Sequence, residues 1–233
     1  MARPRFICCD DRPNLIQTLS RDILRALEQG LLRQDQVSMV LSGGSSPLPL
    51  FRELARQNFL WPRVSITLAD ERWLPPDSPE SNEGLVRTTL LQHQAAAAAF
   101  SGLYNGAASP QLAEAEVSRR LALLPRPFEL VLLGMGEDGH TASLFPGSPE
   151  LKRGLDRTEP VPCCAISPPR APHLRMTMSL DSLLDSRKVL LLLTGKQKLA
   201  VYNQALEGTD PEEMPIRAIL HQEEVPVSVY WAA

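Results

Sequence analysis

The residues of this chain best suited to moving a proton stand in one stretch, Gly134-Met135-Gly136-Glu137-Asp138-Gly139-His140. Histidine changes charge near neutrality, so His140 can take a proton from water at working pH. Asp138 lies just before it on the same glycine-rich loop. From there its carboxylate can accept a hydrogen bond from the imidazole, fix the ring's tautomer and stabilise the imidazolium formed during reaction. The remaining histidines, His93, His173 and His221, lack such a setting and read as surface or core residues.

Three further segments have the composition of anion sites. Ser42-Gly43-Gly44-Ser45-Ser46 lies between an apolar run and Pro47, which opens a helical pattern. Glycines let the backbone approach a ligand closely, and the amides of the following helix favour an anion. A phosphate cradle and an ordinary strand-to-helix turn both fit this segment taken alone. Thr194-Gly195-Lys196-Gln197-Lys198 repeats the layout and adds lysine in the first helical turn. A cation is disfavoured beside the positive end of a helix, and a local rule broken in this way often signals function. A bound phosphate would remove the conflict; a solvated lysine pair is the plainer reading and stays open for Lys196. Asp70-Glu71-Arg72 directly follows another apolar run. Its arginine suits two-pronged binding of phosphate or carboxylate, while a surface ion-pair cluster is the simpler account of these residues in isolation.

The stretch from Gly134 to Gly139 also spells G-x-G-x-x-G, so a nicotinamide-dependent oxidoreductase is a competing class. Against it, Glu137 and Asp138 would put like charge where a pyrophosphate must sit. Pro146 interrupts the helix that should follow, and no convincing strand leads to Asp156, which has about the spacing of a ribose-binding acid. The match is read as accidental.

Apolar runs and helical faces alternate almost from end to end. Residues 14–29 place Leu15, Ile16, Leu19, Ile23, Leu24 and Leu27 on one helical face, with Asp11 and Pro13 at its start and Gly30 after its end. Strands are expected at 37–41, 64–69, 128–133, 161–166 and 189–193, with 225–231 as a closing edge strand. Helices are expected from Pro47, over 82–92, from Ser109-Pro110 onward, and from Thr194 to about Glu207. The alanines at 95–99 fit a helix or a loop, and 147–172 reads as irregular around its short strand. Continuous apolar strands alternating with helices predict an α/β fold, a mostly parallel sheet with helices on both faces. No repeat or long linker divides residues 1–233, so one domain is expected. In such sheets ligands bind outside the carboxyl ends of the strands. All four polar segments lie there, so the fold would gather them at one edge.

Bulk properties narrow the class. With 43% hydrophobic and 22% charged residues the chain can bury a substantial core. Net charge is −3 without a basic or acidic block, which gives no support to a broad nucleic-acid footprint and leaves room for a local cationic pocket. The apolar run 189–193 is far too short to cross a bilayer. The charged stretch 1–11 does not look like a secretory leader, and a cytoplasmic protein is expected. Cys8-Cys9 and Cys163-Cys164 are vicinal pairs that would point to opposite faces of a strand, as small thiols in a reducing compartment.

Taken together, LSGGSSP (41–47), ADERWLPPDSPESNEG (69–84), LLGMGEDGHTASLFPGSP (132–149), RMTMS (175–179) and TGKQK (194–198) resemble the 6-phosphogluconolactonase family along nearly the whole chain. The resemblance implies a Rossmann-like fold shared with glucosamine-6-phosphate deaminases and ribose-5-phosphate isomerases. It implies hydrolysis of 6-phospho-D-glucono-1,5-lactone to 6-phosphogluconate in the oxidative pentose phosphate pathway, with no metal or organic cofactor. Carried over by motif, His140 is the base and Asp138 its neighbour. Arg72, Arg175 and Lys198 are the anion-binding residues, with Ser42, Gly43, Gly44 and Asp70 also lining the substrate. Lys198, not Lys196, stands in the family's Thr-Gly-x-x-Lys register. The related deaminases resemble this chain around Asp-Gly-His but carry a glutamate five residues after the histidine for ring opening; here that position is Phe145. A non-catalytic sugar-phosphate-binding module is the alternative from another class. Such a module would usually have lost the base or the cations, and Asp138, His140, Arg72 and Lys198 all stand. The partner expected is a small sugar-phosphate lactone, with no membrane or nucleic acid, and the protein is expected to be a monomer or weak homodimer.

Overall fold

Continuous apolar strands decide the architecture. In a computed structural model describing residues 4–233, β2 (Val37–Leu41) and β6 (Leu130–Leu133) are buried along their whole length, and β9 (Val189–Thr194) is buried up to Thr194. The start of the charged stretch 1–11 lies outside the described residues. With β1 (Arg5–Cys8), β3 (Val64–Leu68), β5 (Ala99–Ser101) and β10 (Val227–Ala232) they form a seven-stranded sheet in the order β1-β10-β9-β6-β2-β3-β5. Every neighbouring pair in it is parallel. No helix among the described residues is long and apolar enough to cross a membrane.

Strand order also explains the two helical layers. The chain moves from β1 to β2, β3 and β5 in one direction across the sheet, then returns from β5 to β6, β9 and β10 in the other. Because β-to-β crossovers are right-handed, that reversal puts α1 (Arg12–Leu31), α2 (Leu48–Arg56) and α3 (Asn82–Thr89) on one face. It puts α4 (Pro110–Ala122) and α7 (Gly195–Glu207) on the other. The reversal falls between β2 and β6, so the chain leaves these adjacent strands in opposite directions and opens a crevice at their carboxyl ends.

Helix α1 shows how sequence sets packing. Asp11 caps it, accepting from the Asn14 amide at 2.7 Å, and Pro13 sits in the first turn, where its missing amide hydrogen is not needed. Leu15, Leu19, Ile23 and Leu27 repeat at four-residue spacing and are fully buried. Each such side chain contributes roughly 1.5–3 kcal/mol relative to exposure. Gly30 does not end this helix. It lies inside it because a side chain there would meet Glu129 at 2.5 Å and Val37 at 2.7 Å.

Other departures from expectation have similar causes. The stretch 225–231 is not an edge: β10 lies between β1 and β9, and the edge is β1, a four-residue strand with little periodicity to read. The alanine stretch becomes a short 3₁₀ turn and the opposite edge strand β5. Helix α3 stops at Thr89 rather than at 92. Phe128 makes only an isolated bridge to Ser186 before β6 begins. Two one-turn helices, α5 (Leu151–Leu155) and α6 (Leu180–Leu184), and α8 (Ile216–Leu220) are too short to show a helical period.

A second sheet was not expected. The chain crosses into it at Ala69, whose amide donates to Leu41 of the large sheet while its carbonyl accepts from Met178 of the small one. Three antiparallel strands follow, β4 (Asp70–Arg72), β8 (Arg175–Met178) and β7 (Cys163–Ile166). The vicinal thiols of β7 do face opposite ways. Cys163 approaches Ser118 Oγ of α4 at 3.4 Å, and Cys164 packs with Phe145 and Ile166. All the cysteines are free, and only Cys8 is exposed.

Candidate active site

The loop after β6 is built to hold one imidazole. The Gly136 amide donates to the His140 carbonyl at 2.8 Å, closing a tight turn, and Gly139 takes φ +77°, which favours glycine. Thr141 Oγ1 donates to the Gly134 carbonyl at 2.9 Å, and the Ile216 amide donates to the Gly139 carbonyl at 2.9 Å. Gly136 has a separate role: a Cβ there would stand 2.1 Å from His140 Nδ1 and 2.5 Å from Asp138 Oδ1.

His140 Nδ1 and Asp138 Oδ1 are 2.6 Å apart. Partial burial pushes the Asp138 carboxyl up, but the hydrogen bonds and charge of His140 outweigh it and hold it below its ordinary value. Asp138 is therefore an anion at neutral pH and can only accept. The shared proton therefore sits on Nδ1, and in the neutral ring this leaves the lone pair on Nε2. The Phe145 ring packs 4.3 Å from the imidazole, centroid to centroid, and is buried. No helix follows this loop until α5, so the G-x-G-x-x-G spelling lacks the helix that a dinucleotide site requires.

The four polar segments meet in one cleft of about 400 Å³ at the carboxyl ends of the parallel strands. Its wall includes Ser42, Gly43 and Gly44 after β2, Asp70 and Arg72 of β4, Gly134 to Gly136 with His140 after β6, Arg175 of β8, Thr194 at the end of β9 and Lys198 of α7. Every sequence-predicted binding residue and His140 lines it; Asp138 supports the imidazole from behind. Glu137 and Lys196 are exposed to solvent.

Cations and backbone donors converge on this cleft. Arg72 and Arg175 occupy facing positions in the β4–β8 ladder. Burial lowers the pKa of Arg175, nearby Asp70 acts to raise it and Arg72 to lower it. Its Nε is buried without a hydrogen-bond partner, as is Ser42 Oγ. Lys198 Nζ donates to the Met135 carbonyl at 2.7 Å, tying α7 to the imidazole loop. Helix α7 begins at this edge without a side-chain cap, so its first-turn amides are left for another acceptor.

Several residues emerge only from the structure. Glu71 is fully buried and accepts from the amides of Arg72, Asn82 and Glu83 and from Ser81 Oγ, at 2.7–3.1 Å. Burial pushes its carboxyl up to about 7 against those donors. Asp70 reaches the cleft, but its oxygens are engaged, Oδ2 by Ser143 Oγ at 2.6 Å and Oδ1 by Asn82 Nδ2 at 3.4 Å. Asn82 lines the cleft and bonds Arg72. In the sequence it shows only as a residue at a helix start. Among the described residues no three His, Cys, Asp or Glu side chains cluster as a metal site would require.

Residues 10–231 match the family of glucosamine-6-phosphate isomerases and 6-phosphogluconolactonases. The chain belongs to this family. It is 41% identical over 221 residues to a 6-phosphogluconolactonase of Pseudomonas putida, covering 95% of this chain and 90% of that one. The crystal structure of a 6-phosphogluconolactonase from Shewanella baltica OS155 superposes with a TM-score of 0.97 at 44% identity, over 100% of this chain and 99% of that one. A monomeric glucosamine-6-phosphate deaminase shares the fold, with a TM-score of 0.80 at 19% identity over 97% of this chain and 96% of that chain. The Rossmann-like fold of the family is thus the fold of this chain.

Proposed function

We propose that this chain hydrolyses 6-phospho-D-glucono-1,5-lactone to 6-phosphogluconate, in the oxidative pentose phosphate pathway, with His140 as general base. The observation that carries this reading is the 2.6 Å His140–Asp138 pair on the wall of a cleft that also receives Arg72, Arg175 and Lys198. A neutral ester carbonyl at one end of a ring and a dianionic phosphate at the other need this combination of one base and several cations.

His140 Nε2 takes a proton from water as the water oxygen attacks C1. The resulting C1 oxyanion is stabilised by Arg72 or by an amide of the glycine loop. The C1–ring oxygen bond then breaks, and the imidazolium returns its proton to the departing oxygen. Asp138 stays ionised throughout and supports the charged ring. Arg175, Lys198 and the Ser42-Gly43-Gly44 turn hold the phosphate, and this remote binding orients the ring for attack. Asp70 reads as a residue at the sugar. Phe145 places an apolar ring where the related deaminases use an acid for ring opening, which favours hydrolysis over deamination. The chain is read as a cytoplasmic monomer or weak homodimer acting as one domain over residues 1–233.

The test is to generate the lactone in situ with glucose-6-phosphate dehydrogenase and follow its loss with and without the protein. Spontaneous hydrolysis sets the control. Acceleration well above it supports the reading; no acceleration rejects it.

A further inference from the structure

We infer that Asn82 is a positioning residue that aims Arg72 into the cleft and holds the glycine loop against it. Asn82 is 2% exposed, yet its side chain touches two segments that the chain delivers separately, β4 and the Ser42-Gly43-Gly44 turn. Oδ1 accepts from Arg72 Nη1 at 2.7 Å. Nδ2 donates to the Asp70 carbonyl at 2.8 Å, fixing the strand that carries Arg72. The carboxamide also fills the space beside Gly43, where a Cβ would come within 2.0 Å of Oδ1.

Asn82 is itself held from behind. Its amide donates to Glu71 Oε1 at 2.7 Å, and Ser81 caps α3 by accepting from Gly84 at 3.1 Å. The orientation of the carboxamide is set by its partners, since only oxygen can face a guanidinium and only NH2 can face the Asp70 carbonyl. Arg72 has one other acceptor, the Glu80 carbonyl at 2.9 Å, also on Nη1. Both restraints thus act on one nitrogen and leave Nη2 and Nε directed elsewhere, with hydrogens to offer. A guanidinium facing Arg175 without such a restraint would swing towards solvent, because like charges repel across a ladder.

This inference rests on Arg72 serving the anion, as proposed above, and its test is read by binding as well as by turnover. The experiment is a double-mutant cycle with Asn82→Ala and Arg72→Ala, measuring KM and kcat for the lactone and the Kd of 6-phosphogluconate by calorimetry. Loss of one hydrogen bond to a charged group predicts that Asn82→Ala raises the Kd of 6-phosphogluconate, an anion at both ends, about tenfold and lowers kcat/KM by a similar factor. In the Arg72→Ala background the same substitution should change Kd by less than about twofold. Equal losses in both backgrounds, or an unchanged Kd for Asn82→Ala alone, would overturn the role. Should Asn82→Ala not fold, Asn82→Ser, which keeps a small polar group at the helix start, is put through the same binding cycle with the same two outcomes. Wild-type lactone turnover decides the proposed activity; the 6-phosphogluconate cycle decides the role of Asn82 whether or not that turnover is found.

Discussion

Arg72 and Arg175 face each other across two antiparallel strands, and Arg175 carries a buried guanidinium nitrogen with no partner. A fold optimised only for stability would not place two like charges in register. The arrangement is unfavourable until an anion arrives between or beside them. It follows that Arg175→Met should raise the stability of the free protein by about 1 kcal/mol, since replacing a poorly paired buried charge by an apolar side chain is often stabilising. Wild-type protein should gain about 2.7 kcal/mol of stability from 6-phosphogluconate at one hundred times Kd, seen as a raised Tm, and the same variant should lose that gain. Thermal melts with and without the ligand check both parts.

Asp138 should act through His140 rather than through stability. Asp138→Asn replaces an acceptor-only carboxylate by a carboxamide that can donate to Nδ1 and favour the wrong tautomer, so kcat should fall by about 10²-fold or more while Tm changes little. Its lowered carboxyl pKa gives a sign as well. The folded state prefers the anion, so its small, solvent-screened contribution is present above the ordinary aspartate range and lost as pH falls through the folded value. Denaturation from pH 7 to pH 3 should therefore show wild type and Asp138→Asn converging at the acid end.

Gly136 has the sharpest steric requirement in the site. Gly136→Ala would drive a methyl group to 2.1 Å from His140 Nδ1, so the ring must move. A displacement of about 1 Å costs on the order of 10²-fold in rate. Kinetics should show that loss in kcat with little change in 6-phosphogluconate binding; an active Gly136→Ala enzyme would contradict the loop geometry described here.

Glu71 anchors β4 to α3 without touching the cleft. Glu71→Ala strips the acceptor from three amides and one hydroxyl, each buried donor being worth about 1–3 kcal/mol when left unpaired. Large destabilisation in urea titrations is expected. Because burial raises this carboxyl from 4.5 to about 7, the folded state binds its proton more tightly than the unfolded chain. The contribution of Glu71 is therefore fullest below pH 4.5 and declines as pH rises through about 7, and that slope should be missing from Glu71→Ala.

Much of this is legible in the sequence itself. Buried parallel strands read as unbroken apolar runs, so β2 was bounded to the residue and β9 to within one. Glycine and proline marked the turns that carry Ser42 to Gly44 and the His140 loop. The rule that ligands sit at strand carboxyl ends then gathered residues from 42 to 198 into one site. What stayed hidden depends on register between distant segments. The strand β8 has four residues and no period long enough to recognise, so neither the small sheet nor the Arg72–Arg175 facing pair could be seen. Gly30 looked like a helix end because its reason for being glycine is Glu129, almost a hundred residues away. Asn82 was hidden likewise, its partners being Gly43, Asp70 and Arg72.

The most direct test of the whole account is the rate of 6-phosphogluconolactone loss with wild-type protein and with His140→Ala, each corrected for spontaneous hydrolysis. The account predicts strong acceleration by wild type and a fall of about 10²–10⁴-fold in kcat for His140→Ala, with 6-phosphogluconate still bound. Near-full activity in the variant would contradict His140 as the base, and inactivity of both proteins would contradict the proposed hydrolysis itself.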